Sequence, residues 1–314
     1  MRVLVALGGN AMTGADGSVR AEDQIAAAEA AMASVAELVA EGVEVVLTHG
    51  NGPQVGNILV ANELAASVVP PVPLDWCGAQ TQATLGFILM NALDRALAAS
   101  GVSRRTTAVV TRTLVAVDDP AFDSPTKPIG RYLPRVEAEP LIRHGQRFED
   151  RGRRGWRRVV PSPEPQEILD APAVRSLVDG GFIVIANGGG GIPVVRDADG
   201  SLRGVEAVID KDLGATLLAG VVGADRLVIA TNVDSAVIDY ETDHARPIGE
   251  IGVREMRVLE AGGQFASGSM GPKVDAICRF VESTGRVGVI TSLSNIVSGA
   301  HGSSGTRVSP TGQT

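Results

Sequence analysis

Cysteine, lysine and long apolar runs are scarce in this sequence, and each scarcity excludes something. The two cysteines, Cys77 and Cys278, are too few for a disulfide framework and have no metal-ligand spacing, which points to a reducing compartment and away from structural zinc. The apolar run after Met1 ends at Gly8, too short for a signal peptide or a membrane span. Secretion and membrane insertion are therefore set aside, and a cytoplasmic location is expected. Basic residues are outnumbered, 28 to 36, for a net charge of −8, which argues against a general nucleic-acid binder. What is present, 44% hydrophobic and 20% charged residues, describes a globular chain. Its 314 residues suffice for one large domain or two closely packed lobes.

Lysine is the most informative shortage. Of 28 basic residues only Lys127, Lys211 and Lys273 are lysines, and each stands in a Pro/Gly or acidic motif: Pro125-Thr-Lys127-Pro-Ile-Gly130, Ile209-Asp-Lys211-Asp-Leu-Gly214 and Gly268-Ser-Met-Gly-Pro-Lys273. Where interchangeable surface positions have become Arg, a remaining Lys marks a place that needs a compact ammonium, or is a chance survivor. Composition leaves both readings open.

Apolar runs alternate with helical patterns, the signature of βα units around a mostly parallel sheet. Strands are expected at Arg2–Leu7, Val43–Thr48, Thr107–Val110, Phe182–Ala186, Arg226–Thr231 and Val287–Thr291. Helices are expected at Ala21–Glu41, Pro53–Ser67, Ala79–Ser100, Asp210–Val222 and Gly271–Ser283. An Asp199-Gly200 turn predicts a hairpin joining Pro193 onward to a strand at Val205–Ile209. From Asp118 to Pro165 the pattern breaks: eight Pro occur there, with seven Arg within Arg143–Arg158, so this stretch reads as a flap leaving the main sheet. Its Arg run and Trp156 could suit nucleic acid, but a solvated face agrees better with the acidic total. The tail Ser309–Thr314 reads as frayed.

Three Gly/Asn clusters directly follow expected strands: Gly8-Gly9-Asn10, Gly50-Asn51-Gly52 and Asn187 through Gly191. In an open α/β sheet ligands bind beyond the carboxyl ends of strands, and Gly-rich turns let backbone N–H groups approach an anion. A P-loop is absent, since no hydroxyl residue follows Lys273. A dinucleotide fingerprint at Gly50 to Gly56 misses the required spacing by one residue and finds no acidic ribose partner near Arg112, leaving a dehydrogenase as a minor alternative. No G-x-S-x-G elbow is present, and His49 is better read as structural than as a base. Three lysines, backbone amides and the carboxylates Asp210, Asp212 and Asp234 suit phosphoryl transfer, in which positioning and charge neutralisation dominate.

Several motifs together resemble one family. Val5-Ala-Leu-Gly-Gly-Asn10, Thr48-His-Gly-Asn-Gly-Pro-Gln-Val-Gly56, Lys127-Pro-Ile-Gly130, Gly155-Trp-Arg-Arg-Val-Val-Pro-Ser-Pro163, Ala186 to Val194, Asp210-Lys-Asp212, Gly268 to Val274 and Gly305-Thr-Arg-Val308 occur in the order found in carbamate kinases. That group is a branch of the amino-acid kinase superfamily. The resemblance spans nearly the whole chain, and the Gly-Trp-Arg-Arg and Gly-Ser-Met-Gly-Pro-Lys pieces are specific to the branch.

The resemblance implies a three-layer αβα sandwich around a mainly parallel sheet. An acceptor-binding lobe would span residues 1–175, a protruding subdomain about 118–163 and a nucleotide-binding lobe 176–314. It implies a homodimer and reversible phosphoryl transfer between ATP and carbamate, giving ADP and carbamoyl phosphate with Mg²⁺ carried by the nucleotide. The usual setting of such enzymes is ATP formation in arginine breakdown. By the same resemblance Lys127, Lys211 and Lys273 act on the phosphates, and Asp210 orients Lys211. Gly8, Gly9, Asn10, Gly50, Asn51, Gly52, Gly189 and Gly190 hold acceptor and phosphate. Asp212, Thr231, Asn232, Asp234, Tyr240, Met270 and Gly271 flank the nucleotide, with a core-packed Tyr240 as the other reading. No resident metal site is implied. Ala6 stands where relatives acting on acetylglutamate or aspartate carry Lys, which argues against those acceptors. Asn232 replaces a frequent Asp. A sister kinase with another small acid, or a nucleotide sensor without turnover, remains as an alternative.

Overall fold

The computed structural model describes residues 1–14, 17–266 and 268–311, with the side chain of Asn10 outside that set. An eight-stranded sheet runs, edge to edge, through Glu250–Gly252, Thr306–Ser309, Val287–Ser292, Arg226–Thr231, Arg2–Leu7, Glu44–His49, Ile183–Ile185 and Thr106–Ala108. All neighbours pair parallel except Val287–Ser292 with Thr306–Ser309.

Alternate strand residues face opposite sides, and the central strands are apolar at both parities because both faces are covered. Val3, Val5 and Leu7 enter one core layer, against helices Ala21–Ala40, Leu74–Ala99 and Ile296–His301. Leu4 and Ala6 enter the other, against Ala171–Asp179, Lys211–Val221, Val253–Ala261 and Met270–Thr284. The fold is thus the expected three-layer αβα sandwich. Among the described residues no helix is long and apolar enough to cross a membrane.

The flap has its own sheet, Lys127–Leu133 beside Trp156–Val160 beside Arg147–Asp150, with a short helix at Arg135–Arg143. The chain leaves for it at Val115 and returns at Pro165, and these two residues pair across antiparallel strands. Those strands, Arg112–Val115 and Pro165–Ile168, belong to a four-stranded sheet completed by Ile192–Arg196 and Leu202–Gly204.

Three sequence expectations change here. The hairpin partner of Ile192–Arg196 is Leu202–Gly204, not Val205–Ile209. Residues 205–209 instead follow the base of the flap, where the Val208 amide donates to the Pro161 carbonyl, and they deliver Asp210 to the next helix. The long helix starts at Leu74 rather than Ala79, because the chain turns helical straight after Pro73 and buries Leu74 and Cys77. Ser309 ends a paired strand and is buried, so fraying does not begin there, and residues 312–314 lie outside the described residues.

Candidate active site

Because the central strands run parallel, their carboxyl ends place the three Gly/Asn turns on one edge of the sheet. The turns touch. A side chain at Gly50 would meet the Lys211 Cδ at 2.9 Å and the Gly9 amide nitrogen at 3.0 Å. Gly189 takes a left-handed φ of +67°, and a Cβ there would lie 2.2 Å from the Asn51 Nδ2. Asn51 is buried and donates to Thr81 Oγ1 at 2.8 Å, so the Gly188–Gly190 turn packs on a fixed amide. Beneath them His49 is buried, with Nδ1 placed 3.0 Å from the Gly50 carbonyl. Burial pulls its imidazole down to about 4; the Gly50 carbonyl acts in the opposite sense and the nearby Lys211 charge adds to the fall. The ring is a neutral donor that holds the turn, in keeping with its structural reading.

The lysines arrive from three elements and are held by two carboxylates. Asp210 caps the helix Lys211–Val221, its Oδ1 accepting from the Asp212 amide at 2.9 Å. Its other oxygen accepts from Lys127 Nζ at 2.7 Å, joining the flap to that helix. Burial raises the Asp210 pKa, but the Lys127 charge and hydrogen bond outweigh it, and the carboxyl ends below its ordinary value. Asp212, with a side chain only 4% exposed, accepts from Lys211 Nζ at 2.5 Å and from Lys273 Nζ at 3.3 Å. The expectation that Asp210 aims Lys211 is therefore corrected. A carboxylate at the cap points back across the helix start toward the flap, whereas the residue after Lys211 faces both Lys211 and Lys273.

These groups line a cleft of about 830 Å³. Its walls include Gly9, Gly50, Asn51, Gly52, Gly189, Lys127, Asp210, Lys211, Asp212 and Lys273. Five cations, the three lysines with Arg151 and Arg157, oppose the three carboxylates Glu149, Asp210 and Asp212. In an acidic chain this local excess favours an anionic ligand. Among the described residues no group of three or more His, Cys, Asp or Glu is placed to hold a metal ion.

The amino acid kinase family model matches residues 1–292. Carbamate kinase from Trichomonas vaginalis is 44% identical, covering 99% of this chain and 100% of its own. Carbamate kinase from Pyrococcus furiosus is 41% identical, covering 98% of this chain and 99% of its own. The solved carbamate kinase from Giardia lamblia bound to AMP-PNP superposes with a TM-score of 0.93 at 42% identity, covering 98% of each chain. This chain belongs to the carbamate kinases.

In this family member not every residue expected at the site lines the cleft. Gly8 lies behind it, its amide bonded to the Ala230 carbonyl, and Gly190 is buried against Ile209. Thr231, Asn232, Asp234, Tyr240, Met270 and Gly271 are not among its walls, although Gly268, Ser269, Pro272 and Lys273 are. Thr231 donates to Asn232 Oδ1, and Asp234 Oδ1 accepts from Asn295 Nδ2 at 2.9 Å. Tyr240 is 67% exposed on a turn, which overturns its core-packed reading. The Gly271 amide bonds the Ala266 carbonyl as the helix Met270–Thr284 begins. The Asn10 side chain lies outside the described residues.

Sequence reasoning missed Glu149, Arg151 and Arg157. Arg157 stands in the Gly-Trp-Arg-Arg motif, half-buried, and its neighbour Arg158 is also half-buried, so the Arg run is not uniformly a solvated face. The Gly155-Trp-Arg-Arg158 motif was the available signal, since Trp-Arg-Arg-Val-Val carries no strand alternation. Trp156–Val160 pairs with the Lys127 strand, which brings Arg157 to the cleft.

Proposed function

We propose that the chain catalyses reversible phosphoryl transfer between ATP and carbamate, giving ADP and carbamoyl phosphate. The observation that carries this reading is the convergence of Lys127, Lys211 and Lys273 on a cleft edged by three Gly turns. Carbamate is already an oxyanion, so its attack on the γ-phosphate needs no general base. The barrier is the approach of two anions, and preorganised ammonium and N–H donors lower it. Lys211 and Lys273, steadied by Asp212, serve the ATP phosphates and the transferring group. Lys127 reaches in from the flap, with Asp210 as its counter-charge.

Gly9, Gly50, Asn51, Gly52 and Gly189 form the acceptor and phosphate side, with Asn10 beside them by resemblance and Gly8 and Gly190 shaping the turns from behind. Thr231, Asn232 and Asp234, at a strand's carboxyl end, and Met270 and Gly271, at a helix start, flank the nucleoside together with the exposed Tyr240. The acceptor lobe is 1–175 and the nucleotide lobe 176–314. Mg²⁺ is carried by the nucleotide: the oxygens of Asp210 and Asp212 are already engaged by the lysines and the Asp212 amide, and Mg²⁺ is held through substrate phosphates and water. When bound, it neutralises phosphate charge.

The working form is a cytoplasmic homodimer running toward ATP in arginine catabolism. The location is supported by two free, buried cysteines. The dimer is supported by Trp76 and Phe87, about 60% exposed and eleven residues apart on one helix, which puts them on the same face about three turns apart.

The deciding assay is ATP formation from ADP, Mg²⁺ and carbamoyl phosphate, read through a luciferase or hexokinase couple. Rapid, enzyme-dependent ATP is expected. Folded protein that binds ADP yet yields no ATP would remove carbamate as the acceptor.

A further inference from the structure

A second cavity, of about 310 Å³, opens on the flap and is lined by Pro128, Tyr132, Arg151, Arg154 and Arg157. Three guanidinium groups thus share one small space with a single phenol. Their counter-charges are few. Arg151 pairs with Glu149 at 2.5 Å, whereas among the described residues Arg157 bonds only neutral oxygens, the Gly130 carbonyl at 3.2 Å and the Tyr132 hydroxyl at 3.4 Å. Arg154 faces the Tyr132 hydroxyl as well, and no carboxylate among the described residues pairs with it. The Arg157 guanidinium lies 4.9 Å from the centre of the Tyr132 ring, so the ring fixes its plane. Pro128, Arg151 and Arg157 also line the catalytic cleft, so the two cavities adjoin.

We infer that the cavity bounded by Arg151, Arg154, Arg157 and Tyr132 is a second anion site, built for a phosphate dianion and continuous with the catalytic cleft. Planar guanidinium forks suit tetrahedral oxyanions, and two of the three lack the carboxylate that would otherwise compete. The phosphate can belong to carbamoyl phosphate on its way to the lysines or can be free phosphate. Binding itself is independent of the proposed reaction; the carbamoyl phosphate arm rests on it.

Arg154 lines the flap cavity and not the cleft, so it separates the two sites. Equilibrium dialysis of the full chain with radiolabelled inorganic phosphate, under saturating AMP-PNP to fill the catalytic phosphate positions, is the direct test. One phosphate per chain should remain bound, should weaken about tenfold in Arg154→Gln, and should largely return in Arg154→Lys. Loss of all phosphate on adding AMP-PNP, or equal binding by wild type and Arg154→Gln, overturns the site.

The ATP-forming assay then distinguishes the sources. A KM for carbamoyl phosphate raised about tenfold in Arg154→Gln, at constant kcat and constant KM for ADP, assigns the site to the substrate. An unchanged KM with relief of inhibition by inorganic phosphate assigns it to free phosphate. Neither change overturns it. Absence of ATP formation in wild type refutes the reaction alone, since dialysis still decides the site.

Discussion

Lys211 and Lys273 share one carboxylate, Asp212, although they come from the starts of two different helices. Each ammonium is thereby positioned before any phosphate arrives, which is the condition for electrostatic stabilisation of a transition state. Lys211→Ala and Lys273→Ala should each lower kcat by about 10²–10³, with thermal melts nearly unchanged. Near wild-type turnover in both would remove their roles. His49 makes a different prediction. Its imidazole titrates at about 4 when folded, against 6.5 for an unperturbed imidazole, so between these values the unfolded chain binds more protons. The stability that comes from keeping it neutral is complete above pH 6.5 and declines toward pH 4. Denaturant titrations should find the protein about 2 kcal/mol less stable at pH 5 than at pH 7, and His49→Asn should flatten that dependence. Rarity singled out the three lysines but left chance survival open, and only the family resemblance gave them roles. Their partners were not legible, because a run such as Asp210-Lys211-Asp212 does not say which carboxylate faces which ammonium until a helix cap turns one of them away.

The turns and the flap are where individual side chains become a cleft. The Gly188–Gly190 turn fits only because Gly189 leaves room for Asn51, so Gly189→Ala meets both a left-handed φ and a collision. It should lose about 2 kcal/mol or more in denaturant unfolding, together with most activity. An unchanged midpoint would mean that the turn relaxes freely. For the flap strand Lys127–Leu133 the informative change is Lys127→Arg. A planar fork at this position competes for both Asp210 oxygens, one of which already caps the following helix. The expected result is kcat reduced about tenfold or more; full activity would make Lys127 an incidental lysine. Buried parallel strands such as Arg2–Leu7 and Arg226–Thr231 were readable to the residue, since continuous apolar runs bounded by Gly have few other solutions. The flap strands were not readable. Their alternation is diluted by Arg and Pro, and their pairing is disturbed by a register shift between Ile129 and Tyr132.

At the scale of the molecule, the proposed homodimer would bury the exposed face carrying Trp76 and Phe87. Light scattering after size exclusion should give a dimer for the wild type, and Phe87→Asp should shift it toward the monomer. A wild-type monomer at every concentration would dismiss the dimer. Asp210 and Asp212 have a consequence for the cleft as a whole. With these two residues the protein supplies its own counterions to Lys127, Lys211 and Lys273. A triphosphate therefore meets ammonium groups that already carry their counter-charge and shares their remaining N–H donors with the carboxylates, shedding little salt into solution. Its affinity should respond less steeply to ionic strength than three uncompensated lysines would dictate.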